Sequence, residues 1–199
     1  MKKILKIISS VNGAQSKSTQ LADAVIEKLT ANYPGSTVKV KDLSQQRYEH
    51  FHEGHLKVYR GMGEAAPEVA ATVEKISDAT INEVMDADII VIGVPIYNFH
   101  VPSTLKAWLD HVLRAGKTFS YATGQIEGLV KNKKVYLAVS SGGVYSEGPM
   151  QAYDFAVPYL KAILGFIGVT DISTFWAEGC DMPGYKETAL QKAIDKVAV

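Results

Sequence analysis

The chain has 199 residues, 47% hydrophobic and 21% charged, which suits one globular domain with a sizeable core. Its 21 basic residues balance its 21 acidic ones, and this zero net charge gives no electrostatic case for binding nucleic acid or an anionic membrane. The single cysteine, Cys180, excludes an intrachain disulfide, and no apolar run approaches the roughly 18 residues of a membrane span, so we expect a cytoplasmic protein.

Apolar runs and helical patterns alternate along the chain, which predicts strands and helices in turn. Strands are predicted at residues 4–8, 37–40, 87–94, 135–139 and 172–176. Helices are predicted from 18 to about 33, over 69–85, from 102 onward, over 153–166 and over 186–197. The third strand is apolar on both faces, as a central parallel strand covered by helices would be. The pattern predicts an α/β fold, with residues 1–199 forming one domain around a doubly wound, five-stranded parallel sheet.

One segment, residues 43–67, interrupts this alternation and is predicted to be an irregular insertion. Loops of this length are usually functional or cover a partner surface. The segment contains His50, His52 and His55, but its spacing implies no carboxylate or fourth ligand. We therefore expect solvated or interface histidines and no metal site.

The loop after the first strand is rich in hydroxyl groups and leads into a helix. It contains Ser10, Ser16, Lys17 and Ser18. The free amides and the dipole of a helix start favour a phosphate, to which the serines add hydroxyl donors and Lys17 adds charge. A serine N-cap on a surface helix explains the same residues equally well. The chain has no Walker loop, which argues against a nucleotide hydrolase.

The loops after the third and fourth strands carry different chemistry. The third strand is followed by Ile96, Tyr97, Asn98 and Phe99, and the fourth is followed by Ser140, Ser141, Gly142 and Gly143. The aromatic side chains offer a flat apolar surface, and paired glycines let backbone amides approach a ligand closely. Core packing and a plain tight turn are the simpler interpretations. Because parallel strands end at one edge of a sheet, the three loops together predict a site for a planar, phosphate-bearing ligand such as FMN.

The sequence resembles the FMN-dependent NADH azoreductases of bacteria, which are relatives of the NAD(P)H quinone reductases. The resemblance covers nearly the whole chain. Its markers are Ser-Ser at 9–10, Ser-Lys-Ser at 16–18, Pro-Ile-Tyr-Asn-Phe at 95–99, Arg-Ala-Gly-Lys-Thr-Phe at 114–119, Ser-Ser-Gly-Gly at 140–143 and Leu-Gly-Phe-Ile-Gly at 164–168. The resemblance implies a flavodoxin-like fold with strand order 2-1-3-4-5 and helices on both faces of the sheet.

The resemblance also implies roles for individual residues. It assigns Ser10 and residues 16–18 to the phosphate and ribityl side of a tightly bound FMN, and residues 96–99 and 140–143 to its ring. The acceptor pocket would contain Phe119, Tyr145 and Phe166, in a homodimer whose subunits both line the active site. Many relatives have Arg in place of Ser141 and His in place of Tyr145, so acceptor preference and flavin potential are open here.

The implied activity is oxidation of NADH and reduction of quinones, azo compounds or nitroaromatics in a ping-pong cycle. The flavin N5 is the reactive centre in this family, so no catalytic side chain is required, and Tyr145 is a candidate proton donor. A flavodoxin-type electron carrier and a flavin-free interaction module of the same fold are the alternatives. The neutral charge and the long insertion favour an enzyme. The sequence leaves open the physiological acceptor and the choice between NADH and NADPH.

Overall fold

Parallel strands form the centre of the protein in a computed structural model that describes residues 1–46 and 48–199. In chain order the strands are β1 (Lys3–Ile8), β2 (Thr37–Asp42), β3 (Ile89–Pro95), β4 (Phe119–Ser120), β5 (Glu127–Gly128), β6 (Lys134–Ser140) and β7 (Asp171–Ala177). The main sheet is entirely parallel, in the order β2-β1-β3-β6-β7, and β4 pairs with β5 as a separate antiparallel hairpin. The predicted five strands and their order 2-1-3-4-5 are confirmed.

Helices cover both faces of this sheet, as predicted. They are α1 (Lys17–Asn32), α2 (Glu53–Arg60), α3 (Pro67–Asp86), α4 (Ser103–Val112), α5 (Val157–Phe166) and α6 (Ala189–Asp195). Side chains alternate along β3, so Ile89 and Val91 pack with α1 and α6, whereas Ile90 and Ile92 pack with α3, α4 and α5. No helix in the described part of the chain combines the length and apolarity that a membrane crossing requires.

Two helices and one hairpin differ by more than a residue or two from what the sequence predicts. The helix expected from residue 153 begins at Val157, because the Asp154 carboxylate accepts hydrogen bonds from the amides of Ala156 and Val157 and marks a new helix start. The last helix is shorter than the predicted 186–197, since residues 182–188 form turns. The β4–β5 hairpin was not predicted because two-residue strands carry no periodicity.

The predicted insertion at 43–67, of which residue 47 lies outside the described residues, contains a helix and is partly buried. Leu43 and Tyr48 pack in the core, so the segment is anchored as well as irregular. At the start of α2, His52 Nδ1 accepts from the Gly54 amide at 3.0 Å, and His55 Nδ1 accepts from the His52 amide at 3.3 Å. This is a capping box built from imidazoles, and its unusual residue types explain why the sequence did not predict the helix.

The histidines of this segment differ in their surroundings. His50 and His52 are exposed, as expected, but His55 is only 1% exposed, so the expectation of a solvated or interface side chain is wrong for His55. Its ring lies 4.9 Å from that of His111, which is also buried. The sequence could not show this contact, because His111 lies on α4, far along the chain.

Protonation of His55 opposes its role as a hydrogen-bond acceptor. Burial, together with the nearby His52 and His111, lowers the pKa of His55 from 6.5 to about 4. Because the pKa is lower in the folded than in the unfolded state, the stabilisation is complete above about pH 6.5 and is lost as the pH falls toward 4. We expect the free energy of unfolding, measured with urea, to fall over this interval by about 1.4 kcal/mol for each pKa unit of the shift.

The variant His55→Gln tests this assignment, since glutamine can accept the same capping bond without titrating. Its stability should depend less steeply on pH between 6.5 and 4 than that of the parent. The control His50→Gln removes an exposed histidine and should retain the parental slope. Equal slopes in the parent and His55→Gln would contradict the assignment.

Candidate functional site

Three loops meet where β1, β3 and β6 end, because these strands are neighbours in the sheet and run in the same direction. Hydrogen bonds tie the loops together. The Ile96 amide donates to the Ser140 carbonyl at 2.8 Å, and the Ser10 and Tyr97 hydroxyl oxygens lie 3.1 Å apart. The structure therefore brings the residues predicted from the three loops to one edge of the sheet.

The loop after β1 ends in the N-terminus of α1. Ser16 is the N-cap of this helix and accepts from the Thr19 amide at 3.2 Å, while its Oγ lies 3.0 Å from the buried Ser18 Oγ. The amides of Lys17 and Ser18 have no acceptor among the described residues. The capping interpretation is thus correct but incomplete, since it leaves two helix-terminal donors and two hydroxyl groups that suit an anion.

The loop after β3 is a two-residue hairpin. The amides and carbonyls of Tyr97 and His100 bond reciprocally at 3.0 Å. The central residues, Asn98 and Phe99, have φ of 49° and 68°, in the left-handed region that turns of this kind require. Asparagine tolerates this region, but phenylalanine is strained there, and such strain is typical of functional sites.

The aromatic side chains of this hairpin are partly exposed. Tyr97 is 36% and Phe99 42% exposed, so both offer ring surface to a ligand or partner. The Phe99 ring lies 5.5 Å from that of Tyr153 and 6.3 Å from that of Tyr145. Of the three predicted pocket residues, Tyr145 is therefore beside the hairpin after β3. Phe119 and Phe166 pack on each other at 4.7 Å and have no ring contact with this group among the described residues.

The carbonyl groups of the glycine loop after β6 are paired with the loop after β7. The carbonyls of Ser141, Gly142 and Gly143 accept from three amides of the loop after β7, those of Cys180, Asp181 and Gly179 respectively, at 3.0–3.2 Å. The Ser141 amide donates to the Ala177 carbonyl at 3.0 Å, but the amides of Gly142 and Gly143 have no acceptor in the described part of the chain. That these two N–H groups bind a ligand stays a prediction.

The loop after β7, residues 178–181, was missed from the sequence and is called the brace loop below. A Cβ added at Gly142 would lie 2.4 Å from Asp181 Oδ2, so this side of the glycine is closed by the brace loop. The predicted strand order could have indicated this loop, because the fifth strand lies next to the fourth and the loops that follow them must therefore meet. Ser141, also in contact with this loop, is buried, and its Oγ donates to the Gly143 carbonyl at 2.8 Å.

A second cluster, of Glu49, His52 and His55, lies apart from these loops on the 43–67 segment. One ligand atom from each lies within 4.8 Å of the others, so the structure supplies the carboxylate that the spacing did not imply. Both imidazoles already accept hydrogen bonds through Nδ1, which leaves their protons on Nε2. Metal ligation through Nε2 would break both helix-capping bonds. That the chain has no metal site stays a prediction.

A surface cavity of about 880 Å³ lies at the opposite edge of the sheet between β2 and α3. It is lined by ion-paired side chains such as Lys3 and Asp86. Among the described residues, backbone donors without an acceptor converge instead at the loops after β1 and β6. We therefore assign the functional site by its chemistry rather than by the size of the cavity.

Comparison with known proteins agrees with this fold. Residues 2–199 match the model of a family described by its flavodoxin-like fold. The chain is 40% identical over 198 residues to an FMN-dependent NADH:quinone oxidoreductase of Beijerinckia indica, covering 100% of this chain and 98% of the relative. It is 43% identical over 182 residues to a protein of the same name from Herminiimonas arsenicoxydans, covering 92% of this chain and 89% of the relative.

Solved structures show the same relationship. A crystal structure of an azoreductase from Bacillus anthracis is 30% identical in sequence and superposes with a TM-score of 0.87, covering 98% of this chain and 96% of that one. The similarity thus extends over whole chains in both sequence and structure. The chain belongs to the flavodoxin-like family that includes these FMN-dependent NADH:quinone oxidoreductases and azoreductases.

Proposed function

We propose that this protein is an FMN-dependent NADH oxidoreductase that reduces quinones and aromatic azo compounds. The observation that carries the proposal is the convergence of unpartnered backbone amides from the loops after β1 and β6 at one edge of the sheet. The names of the relatives support the cofactor, the electron donor and the quinone acceptor. The azoreductase structure supports azo compounds as a second class of acceptor. Nitroaromatics are proposed because they present a similar flat, reducible ring.

The N-terminus of α1 fits the phosphate of FMN. The amides of Lys17 and Ser18 have no acceptor among the described residues. One of the Ser16 and Ser18 hydroxyls donates to the other, so the second keeps its proton for a ligand, and all these groups lie where the helix dipole favours negative charge. Ser10, bonded to Tyr97, lies between this phosphate site and the aromatic hairpin, where it would contact the ribityl chain. These residues would hold the cofactor by its anionic end.

The hairpin and the glycine loop fit the flavin ring. We propose that Ile96, Tyr97, Asn98 and Phe99 cover the ring and exclude water, with the Asn98 amide group supplying both a donor and an acceptor. The amides of Gly142 and Gly143, together with Ser140 and Ser141, would face its polar edge and stabilise negative charge there without reorganising. Bound FMN supplies the redox chemistry, taking a hydride from NADH and passing it to the acceptor.

The side chains beyond the ring would shape the acceptor pocket. Tyr145 lies beside Phe99, and its hydroxyl is the candidate to donate a proton to the reduced product. Phe119 and Phe166 form a second aromatic wall, which we propose completes the pocket of a neighbouring subunit in a homodimer. An exposed apolar patch next to the hairpin supports dimerisation; it consists of Tyr97, Phe99, Met150, Tyr153 and Phe155.

The remaining proposals concern the chain as a whole. One family model spans residues 2–199, which supports a single domain that includes the 43–67 segment. The lone cysteine, Cys180, supports a location in the reducing cytoplasm. The neutral net charge supports small molecules and a second copy of the chain as partners, rather than nucleic acid or a membrane.

The kinetic test of the proposal uses FMN-loaded protein, NADH and a benzoquinone. NADH and the acceptor would occupy the same face in turn, so we expect parallel lines in double-reciprocal plots. Protein without added reductase should oxidise NADH directly, which a flavodoxin-type electron carrier would not do. Intersecting lines, indicating a ternary complex, would count against a shared site.

The phosphate site is tested by Ser18→Ala, which removes one hydroxyl and leaves the Ser16 cap on Thr19 intact. A hydrogen bond to a charged group contributes about 1.5–3 kcal/mol, so FMN should bind roughly 10–100-fold more weakly. Riboflavin, which lacks the phosphate, serves as the control ligand, and its affinity should change less than about twofold. Flavin fluorescence quenching measures both. Equal weakening of the two ligands would place Ser18 away from the phosphate.

The ring site is tested by Asn98→Gly, which removes the amide side chain while glycine keeps the positive φ without strain. FMN should dissociate about tenfold faster, as expected for the loss of one or two hydrogen bonds. Asn132→Gly is the matched control, since Asn132 also has a positive φ of 59° but lies in the turn before β6. If both variants retain FMN as the parent does, Asn98 does not contact the ring.

A further inference from the structure

Glu178, the first residue of the brace loop, reaches across to the loop after β6. Its Oε1 accepts hydrogen bonds from the amides of Tyr145 and Ser146, both at 2.7 Å, and its Oε2 accepts from the Ser146 hydroxyl. No lysine, arginine or histidine pairs with Glu178 among the described residues. Its two oxygens therefore hold the backbone of two consecutive residues and one hydroxyl group through three hydrogen bonds.

These bonds matter because the backbone hydrogen bonds from the brace loop reach only as far as Gly143. Gly142 and Gly143 have no side chain to pack, and glycine has the greatest conformational freedom of any residue. Beyond Gly143, Glu178 holds the amides of Tyr145 and Ser146, and the Gln151 side chain donates to the Ser146 carbonyl at 3.1 Å. A carboxylate that holds two successive amides fixes the peptide plane between them, and with it the direction of the Tyr145 side chain.

The Tyr145 ring lies against the glycine loop. A Cβ built on Gly143 would be 3.4 Å from Cε2 of Tyr145, so the ring packs over this glycine. On its other side the ring faces Phe99, at 6.3 Å between centroids. Tyr145 thus bridges the two loops assigned to the flavin ring, and a small change in its backbone would open the gap between them.

We propose that Glu178 is a positioning residue, which holds Tyr145 over Gly143 through the backbone and thereby sets the width of the acceptor pocket. Glu178 itself touches neither the cofactor nor the acceptor in this assignment. The inference rests on the proposed function, since it requires that Tyr145 line the acceptor site. If the geometry of the Glu178 hydrogen bonds positions Tyr145, Gln should replace Glu178 better than Asp does. If the charge of the carboxylate positions it, Asp should be the better replacement.

Three substitutions distinguish geometry from charge. Glu178→Gln keeps the length and an oxygen acceptor but removes the charge. Glu178→Asp keeps the charge but is too short to reach both amides. Glu178→Ala removes both. The control is Glu147→Ala, which removes an exposed acidic side chain of the same loop that makes no hydrogen bond or ion pair with the described residues.

The measurement is KM and kcat for a bulky two-ring azo compound and a small benzoquinone, at matched FMN content. With Glu178→Ala and Glu178→Asp, KM for the azo compound should rise about tenfold, as expected when one or two ordinary hydrogen bonds are lost, with a smaller rise for the quinone. Glu178→Gln and Glu147→Ala should stay within about twofold of the parent. If Glu178→Ala does not fold, the KM values of the Gln and Asp variants still test the proposal. A role for charge requires the Asp variant to have the lower KM for the azo compound, whereas a role for geometry requires the Gln variant to have it.

A double-mutant cycle tests whether Glu178 acts through Tyr145. In a Tyr145→Ala background, Glu178→Asp should have no further effect on the KM ratio of the two acceptors. The proposal is overturned if Glu178→Asp changes the KM ratio as much in the Tyr145→Ala background as in the parent. It is also overturned if Glu178→Gln raises KM for the azo compound as much as Glu178→Asp does. Failure of the proposed function would look different, since the parent itself would then fail to bind FMN or to oxidise NADH.

Discussion

The pairing of β6 with β7 continues beyond the ends of the two strands, and the chemistry of the site depends on it. The loop after β7 uses its amides to satisfy the carbonyls of Ser141, Gly142 and Gly143, while the amides of Gly142 and Gly143, on the opposite side of these peptide groups, have no acceptor among the described residues. Buried or half-buried amides without an acceptor are costly, so a ligand that accepts from them is stabilised. The brace loop thus does two things at once: it holds the glycine loop in one conformation and it keeps the glycine N–H groups free.

Backbone amides without an acceptor among the described residues also occur at the other end of the site, where α1 begins. Ser16 satisfies one helix-terminal amide, and among the described residues those of Lys17 and Ser18 have no acceptor. Four of the donors proposed for the cofactor, the amides of Lys17, Ser18, Gly142 and Gly143, are therefore backbone groups, whose positions depend on the sheet order and on the loop conformations rather than on residue identity. This explains why the serines and glycines of the site are weak sequence signals when each is taken alone.

Much of the fold was predictable because buried strands and amphipathic helices leave strong periodic signals. The five strands, their order and the meeting of three loops follow from such signals and from the family resemblance. Features held by contacts distant in sequence were not predictable in this way. Glu178 meets Tyr145 only because β7 lies beside β6, and His55 is buried only because α4 brings His111 to it. The helix α2 was missed because imidazoles replace the usual capping side chains.

The specificity for the acceptor depends on side chains, whereas many contacts to the cofactor would come from the backbone. If backbone amides hold the cofactor, side-chain differences can accumulate around it and change the acceptor without loss of FMN. Ser141 is an example, since this chain lacks the arginine expected from the resemblance and its hydroxyl bonds inward to the Gly143 carbonyl. The loop therefore presents no cation at this position, and negative charge near the ring would be stabilised by neutral polar groups, chiefly amide dipoles, instead of a charged side chain. Tyr145 adds an aromatic wall where a smaller, titratable imidazole is expected. Both differences favour flat apolar acceptors over charged ones, because the pocket gains ring surface and loses positive charge.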